Sequence, residues 1–287
     1  MSKENLSPAS LELQPISIPE IHHQFKQEHP AGFRLKYQQV RWDRFRPPHI
    51  SMYDWQSPRI LGLDVNNLEH CYLTYQNTLQ FIKSQNESDS PLKFNSQEQS
   101  VLTLMAETHD WGEGVTKKGD INRELKTLQD EQEELAALKP TIASMIGGHP
   151  QSKWLTNQII FHLSPEGKHT KIGQAFDIIE KIGYVQTALR SWQKSLEFSQ
   201  VDPKLSIHLQ MIPNIVLANN LESLTQSAQT YPYVKNFLKN QKYLINQAFG
   251  MKTTVLDHYD LPEKIATCKL KFSQSKSNWH HWSKQNL

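Results

Sequence analysis

Apolar residues recur at steps of three and four along much of the chain, and that spacing predicts a series of amphipathic helices. Leu68, Tyr72, Tyr75, Leu79 and Ile82 mark the first, starting at Leu68. The polar stretch SQNESDSPLKFN that follows is a loop by composition. Ser96 with Gln99 forms a capping-box pair that predicts a second helix through Val101, Leu102, Leu104 and Met105. Gly112, Gly114 and Gly119 predict that this helix is frayed or broken beyond His109. A third helix is predicted from about Asn122 to Leu138, with Leu125, Leu128, Leu135 and Leu138 on one stripe and Pro140 ending it. Ile172, Phe176, Ile179, Ile182 and Leu189 mark a fourth over 172–195. Residues 203–250 read as further helix, and no pattern assigns 251–287. Alternating strand patterns are nearly absent, so the predicted class is all-α. Three regions follow: an irregular arm over 1–54, a helical core over 55–195, and a mostly helical extension over 196–287.

The arm is irregular because Pro15, Pro19, Pro30, Pro47 and Pro48 interrupt any long helix. Its content of Trp, Tyr, Phe and Arg predicts that it packs over the core. The chain has 287 residues, long enough to bury a sizeable core. Its 31 basic and 29 acidic residues are dispersed, without the basic stripe of a dedicated nucleic-acid binder. Cys71 and Cys268 lie far apart, which speaks against a disulfide framework or thiolate zinc site and for a reducing compartment. The N-terminus is polar, and no apolar run approaches the roughly 18 residues of a membrane span. A cytoplasmic protein with no membrane partner is the expectation.

The candidate chemistry lies in ETHDWGEGVTKKGDI, residues 107–121, where polar groups follow the apolar run VLTLMA. His109 and Asp110 end the second helix, His70 lies on the first, and Asp177 lies on the fourth beside Phe176. Neighbouring residues on a helix point about 100° apart, so Phe176 can face the core while Asp177 lies at its edge. Three packed helices could aim these two imidazoles and two carboxylates at one point. Histidine nitrogen with aspartate oxygen suits a divalent first-row metal rather than calcium.

The order His70, His109-Asp110, Asp177 resembles the H…HD…D signature of the HD-domain metal-dependent phosphohydrolases, most closely the 5′-deoxynucleotidase-like branch. HDWGEGVTKKGD resembles that branch's HDxxE…GD segment, and Trp55, Arg59 and Glu69-His70 its upstream segment. AFDIIEKIGYVQTAL looks like the helix that supplies the last metal-binding aspartate. The likeness covers about residues 55–192 and makes 55–195 the HD domain. It implies metal ligation by His70, His109, Asp110 and Asp177, and one divalent ion: Mn, Co or Fe, with Mg or Zn as further options. It implies that Glu113 helps position or activate the attacking water and that Asp120 serves substrate or leaving-group chemistry. Arg59 would lie near the phosphate and Trp55 near the sugar. The expected activity is hydrolysis of a phosphate monoester, a nucleoside or deoxynucleoside monophosphate, with the small phosphorylated substrate as partner.

The chain departs from that pattern in places. Asp54 stands where an arginine often precedes the tryptophan, VTKKGD is one residue longer than usual, and Asn66-Asn67-Leu68 replaces a small-polar run. Two other readings stay open. Arg41, Arg44 and Arg46, interleaved with Trp42 and Phe45, suit a phosphodiesterase acting on a nucleic-acid end or a cyclic nucleotide. An HD scaffold for nucleotide sensing or protein assembly, including a homo-oligomer, is the non-catalytic reading. Individual residues have plainer roles too. Asp120 can cap the third helix, and Glu131, Glu133 and Glu134 read as a solvated face. His162 and His169 flank a turn that offers a second metal position. NWHHW near the C-terminus is either a docking segment or a loose end.

Overall fold

The computed structural model describes residues 67–116, 126–258 and 262–287. Trp55, Arg59, Asp120 and the arm lie outside them. The described residues are all-α: α1 (Asn67–Glu87), α2 (Ser96–Thr108), α3 (Leu128–Met145), α4 (Ser152–Leu163), α5 (Lys171–Phe198), α6 (Pro203–Ser227), α7 (Pro232–Ala248) and α8 (Ile265–Asn286). Short 3₁₀ turns lie at His109–Gly112, Gly167–His169, Thr253–His258 and Pro262–Lys264.

Helix α1 bears out its apolar stripe only in part: Ile82 is buried and Tyr75 packs partly against the core, but much of the buried face is polar. Leu79 is exposed, while Cys71, Thr74, Thr78, Phe81 and Gln85 are buried at steps of three and four. Thr78 donates to the Thr74 carbonyl at 2.8 Å, and the Gln85 amide nitrogen donates to the Leu92 carbonyl at 2.8 Å. Helix α2 starts one residue earlier than the sequence suggested. Asn95 caps it, accepting from Glu98 N at 2.9 Å while Glu98 receives the Asn95 amide at 2.9 Å.

Helix α3 begins at Leu128, capped by Thr127, and runs through Pro140 to Met145. Pro140 does not end it because the carbonyl it fails to bond, on Ala136, lies on an exposed stretch where water can serve. Leu128 is exposed, and the buried face is Leu138, Thr141, Ile142 and Met145. Helix α4 had no counterpart in the apolar pattern.

Helices α5 and α6 form the main packed pair, α1 and α2 pack on α5, and α8 lies along α6. One core runs from Cys71 through α5 and α6 to Trp279, across the expected boundary at 195. The NWHHW segment is docked: Trp279 is buried and its indole N–H donates to Asn246 at 2.8 Å. Pro213 lies inside α6 and has no N–H for the Leu209 carbonyl one turn back. Ser191 of α5 donates to that carbonyl at 2.8 Å, and Ser206 of α6 donates to the Ser195 carbonyl at 2.7 Å. A proline that would break an isolated helix thus joins two helices.

Ser191→Ala is expected to destabilise the protein by about 1–3 kcal/mol, the cost of stranding a buried carbonyl. Pro213→Ala in the same chain restores an N–H donor and should recover part of the loss. Urea midpoints of the two variants would show this; equal losses would contradict it.

Candidate metal centre

Helix α2 gives way at His109 to a 3₁₀ turn, His109–Gly112, in which Trp111 is fully buried and Asp110 turns to the other side. The glycine here serves close approach more than chain reversal. A Cβ on Gly112 would lie 2.4 Å from the Glu134 carbonyl oxygen and 3.2 Å from the Leu138 Cβ, so only glycine lets the turn seat on α3.

His70, His109 and Asp110 each place one ligand atom within 4.8 Å of the others, a group that could hold a metal ion. His70 Nε2 is 3.7 Å from Asp110 Oδ2, and His109 Nε2 is 3.4 Å from Asp110 Oδ1. The fourth group facing the imidazoles is Glu180. Its Oε1 lies 3.4 Å from His70 Nε2 and 3.2 Å from His109 Nε2. Ligands at zinc-like bond lengths around one ion stand roughly 3.4 Å apart, close to these four separations. The group whose ligand atoms all lie within 4.8 Å of one another is His70, His109 and Asp110, with Glu180 facing the two imidazoles from α5.

The tautomer also fits. His109 Nδ1 lies 3.0 Å from the Ala106 carbonyl, to which it can only donate, leaving Nε2 for the carboxylate side. Cys71 Sγ approaches the same Nδ1 at 3.8 Å, and Phe176 packs edge-on against the ring with centroids 5.1 Å apart.

Asp177 lies elsewhere. Its side chain is 46 % exposed, against 12 % for Glu180, and its carboxylate binds Lys181 at 2.5 Å. Lys181 also donates to Ser223 at 2.9 Å. The structure therefore sets Glu180, one turn further along α5, beside the two histidines. A signal for this was present: Asp177 has a lysine at i+4, the spacing of a helix-surface ion pair.

Glu113 is buried beside the turn, paired at 3.5 Å with Lys126, which also pairs with Glu134. Glu134 is therefore no solvated charge, unlike its exposed neighbour Glu133. Lys126 is the residue sequence reasoning missed here. Burial lowers its pKa, but Glu113, Glu134 and then Asp110 outweigh burial and hold it above the ordinary value. Of the second candidate pair, His162 is buried with Nδ1 2.8 Å from Thr170 Oγ1, while His169 is exposed.

Burial opposes charge on His109, yet Asp110 and Glu180 outweigh it and raise its pKa well above 6.5. Burial would likewise raise Glu180, but His109 and His70 hold it well below 4.5. A histidine with raised pKa adds stability that is complete below 6.5 and lost as pH climbs through its folded value. A glutamate with lowered pKa adds stability present above 4.5 and lost as pH falls through its folded value. With a chelator present, the stability difference between wild type and His109→Gln should peak between pH 4.5 and 6.5 and shrink on either side. Urea midpoints across pH measure it; a difference that grows above pH 6.5 would contradict the assignment.

Gly112→Ala is expected to cost about 1–3 kcal/mol, as overpacked cores do. It should also weaken divalent-ion binding, which isothermal titration would detect; unchanged binding would separate the turn from the site. Protein-family models, curated proteins and solved structures were compared with the chain, and none matches, so the reading of this centre stands on its own geometry.

Proposed function

We propose that the chain is an HD-type, divalent-metal-dependent phosphohydrolase that cleaves a phosphate monoester, with nucleoside or deoxynucleoside monophosphates as the substrate class. The observation that supports this most is the buried convergence of His70, His109 and Asp110 from separate elements, with Glu180 facing both imidazoles. In this reading His70 and His109 through Nε2, Asp110 and Glu180 hold one ion: Mn, Co or Fe, with Mg or Zn as further options. Glu180 takes the place that the resemblance gave to Asp177. Once bound, a divalent ion would polarise a phosphoryl oxygen and lower the pKa of a water.

The protein's own residues supply the rest. The Ala106 carbonyl fixes the His109 tautomer, so Nε2 carries the lone pair whenever the imidazole is neutral, as it would be with an ion bound. Glu113, one turn beyond Asp110, is the group proposed to accept a proton from the attacking water. Its ion pair with Lys126 orients it. Asp120 serves the leaving group, Arg59 the phosphate through its fork of donors, and Trp55 the sugar. These three roles rest on the resemblance alone. Cys71 and Cys268, two cysteines far apart in the chain, suit a reducing compartment such as the cytoplasm. Among the described residues no helix is long and apolar enough to cross a membrane.

The test is inorganic phosphate release from a panel of ribo- and deoxynucleoside monophosphates, with each candidate metal supplied in turn. Metal-stimulated release is expected, lost in Asp110→Ala by roughly 100-fold or more, at least the upper end of what removing an outer partner of a metal ligand costs. Release that survives Asp110→Ala would overturn the reading. Cleavage confined to phosphodiesters would favour the diesterase, and nucleotide binding without turnover a sensing scaffold.

A further inference from the structure

Glu180 is a long, flexible side chain, and a carboxylate that turns freely would not keep one oxygen on two imidazoles. Two hydrogen bonds restrain it. Tyr184 donates its hydroxyl to Glu180 Oε2 at 2.8 Å, and Thr74 of α1 donates to Oε1 at 3.4 Å. Tyr184 also lies with its ring parallel to His70, centroids 6.4 Å apart and planes 3° apart. The geometry follows from the helix. Side chains on α5 lean towards its N-terminus, so a tyrosine four residues after Glu180 reaches back over it. The two oxygens are thereby given different jobs: Oε2 is held by the phenol, and Oε1 faces His70 and His109.

We propose that Tyr184 is a positioning residue that makes Glu180 a single-oxygen metal ligand through Oε1. The proposal rests on the metal-centre reading above and extends it to the residue that sets the ligand's geometry. Outer partners of this kind typically change metal affinity by about 10–100-fold when removed. Tyr184→Phe keeps the ring and its packing against His70 and deletes the hydroxyl that donates to Glu180 Oε2. Thr74→Val is the weaker counterpart, because its hydrogen bond is long.

The measurement is Co²⁺ affinity by isothermal titration together with the visible absorption of the Co²⁺-loaded protein. It is made on wild type, Tyr184→Phe, Glu180→Gln and the double variant. Tyr184→Phe should weaken Co²⁺ binding by about 10–100-fold and shift the ligand-field bands, since Oε2 becomes free to coordinate. In the Glu180→Gln background, Tyr184→Phe should add little further loss, because the two act as one unit. The metal-free thermal midpoint serves as a control for folding. A Tyr184→Phe protein with wild-type affinity and spectrum overturns the proposal while the metal centre stands. Additive losses in the double variant also overturn it, because Tyr184 would then act other than through Glu180. No Co²⁺ binding by wild type overturns the metal-centre reading and this proposal with it.

Discussion

Two carboxylates, Asp110 and Glu180, lie largely buried against the same two imidazoles, and such a group is stable only with positive charge between them. In the metal-free protein a proton on His109 supplies it, which is why His109 and Glu180 shift in opposite directions. A divalent ion would supply it with both imidazoles neutral, matching the charge of the two carboxylates. Much of the local structure serves this requirement. The Ala106 carbonyl directs the His109 lone pair, the 3₁₀ turn swings Asp110 towards His70, and Tyr184 holds Glu180 in place. Lys126 does for Glu113 and Glu134 what a central cation would do for Asp110 and Glu180.

The site draws on three helices, so its accuracy depends on how they are held. Glu180 sits on α5, against which α1, α2 and α6 all pack. The Ser191 and Ser206 hydrogen bonds tie α5 and α6 together at backbone level, and α8 secures α6 through Ser275, which donates to the Leu217 carbonyl at 3.2 Å. The C-terminal helices thus complete the core that keeps the Glu180 helix in register. This gives them a physical role independent of any partner.

Long apolar periodicity made α1, α2, α5 and the helices within 203–250 legible in the sequence, because burial and helical repeat largely coincide there, whereas α8 lies in the stretch that no pattern assigned. Where the buried face is polar, the reading failed: Thr74 and Thr78 line the core side of α1, and Leu79 faces out. Helix α3 was misjudged because proline was taken as a stop, although a helix tolerates it where the freed carbonyl meets water. His70, His109 and Asp110 were legible as polar residues that a packed helix would not otherwise hold together. Glu180 was not, since its neighbour Asp177 satisfied the expected spacing. Only the i+4 partners separate the two: Lys181 draws Asp177 outward and Tyr184 holds Glu180 inward. Side-chain partners, rather than ligand type, decided the position.

The central claim is that one ion binds among His70, His109, Asp110 and Glu180. Anomalous diffraction from crystals soaked in Mn²⁺ or Co²⁺ tests it directly. A single peak is the expected result, at about 2.0–2.2 Å from both Nε2 atoms and from oxygens of Asp110 and Glu180. A peak bound by Asp177 in place of Glu180, or no peak at this centre at saturating metal, would contradict it.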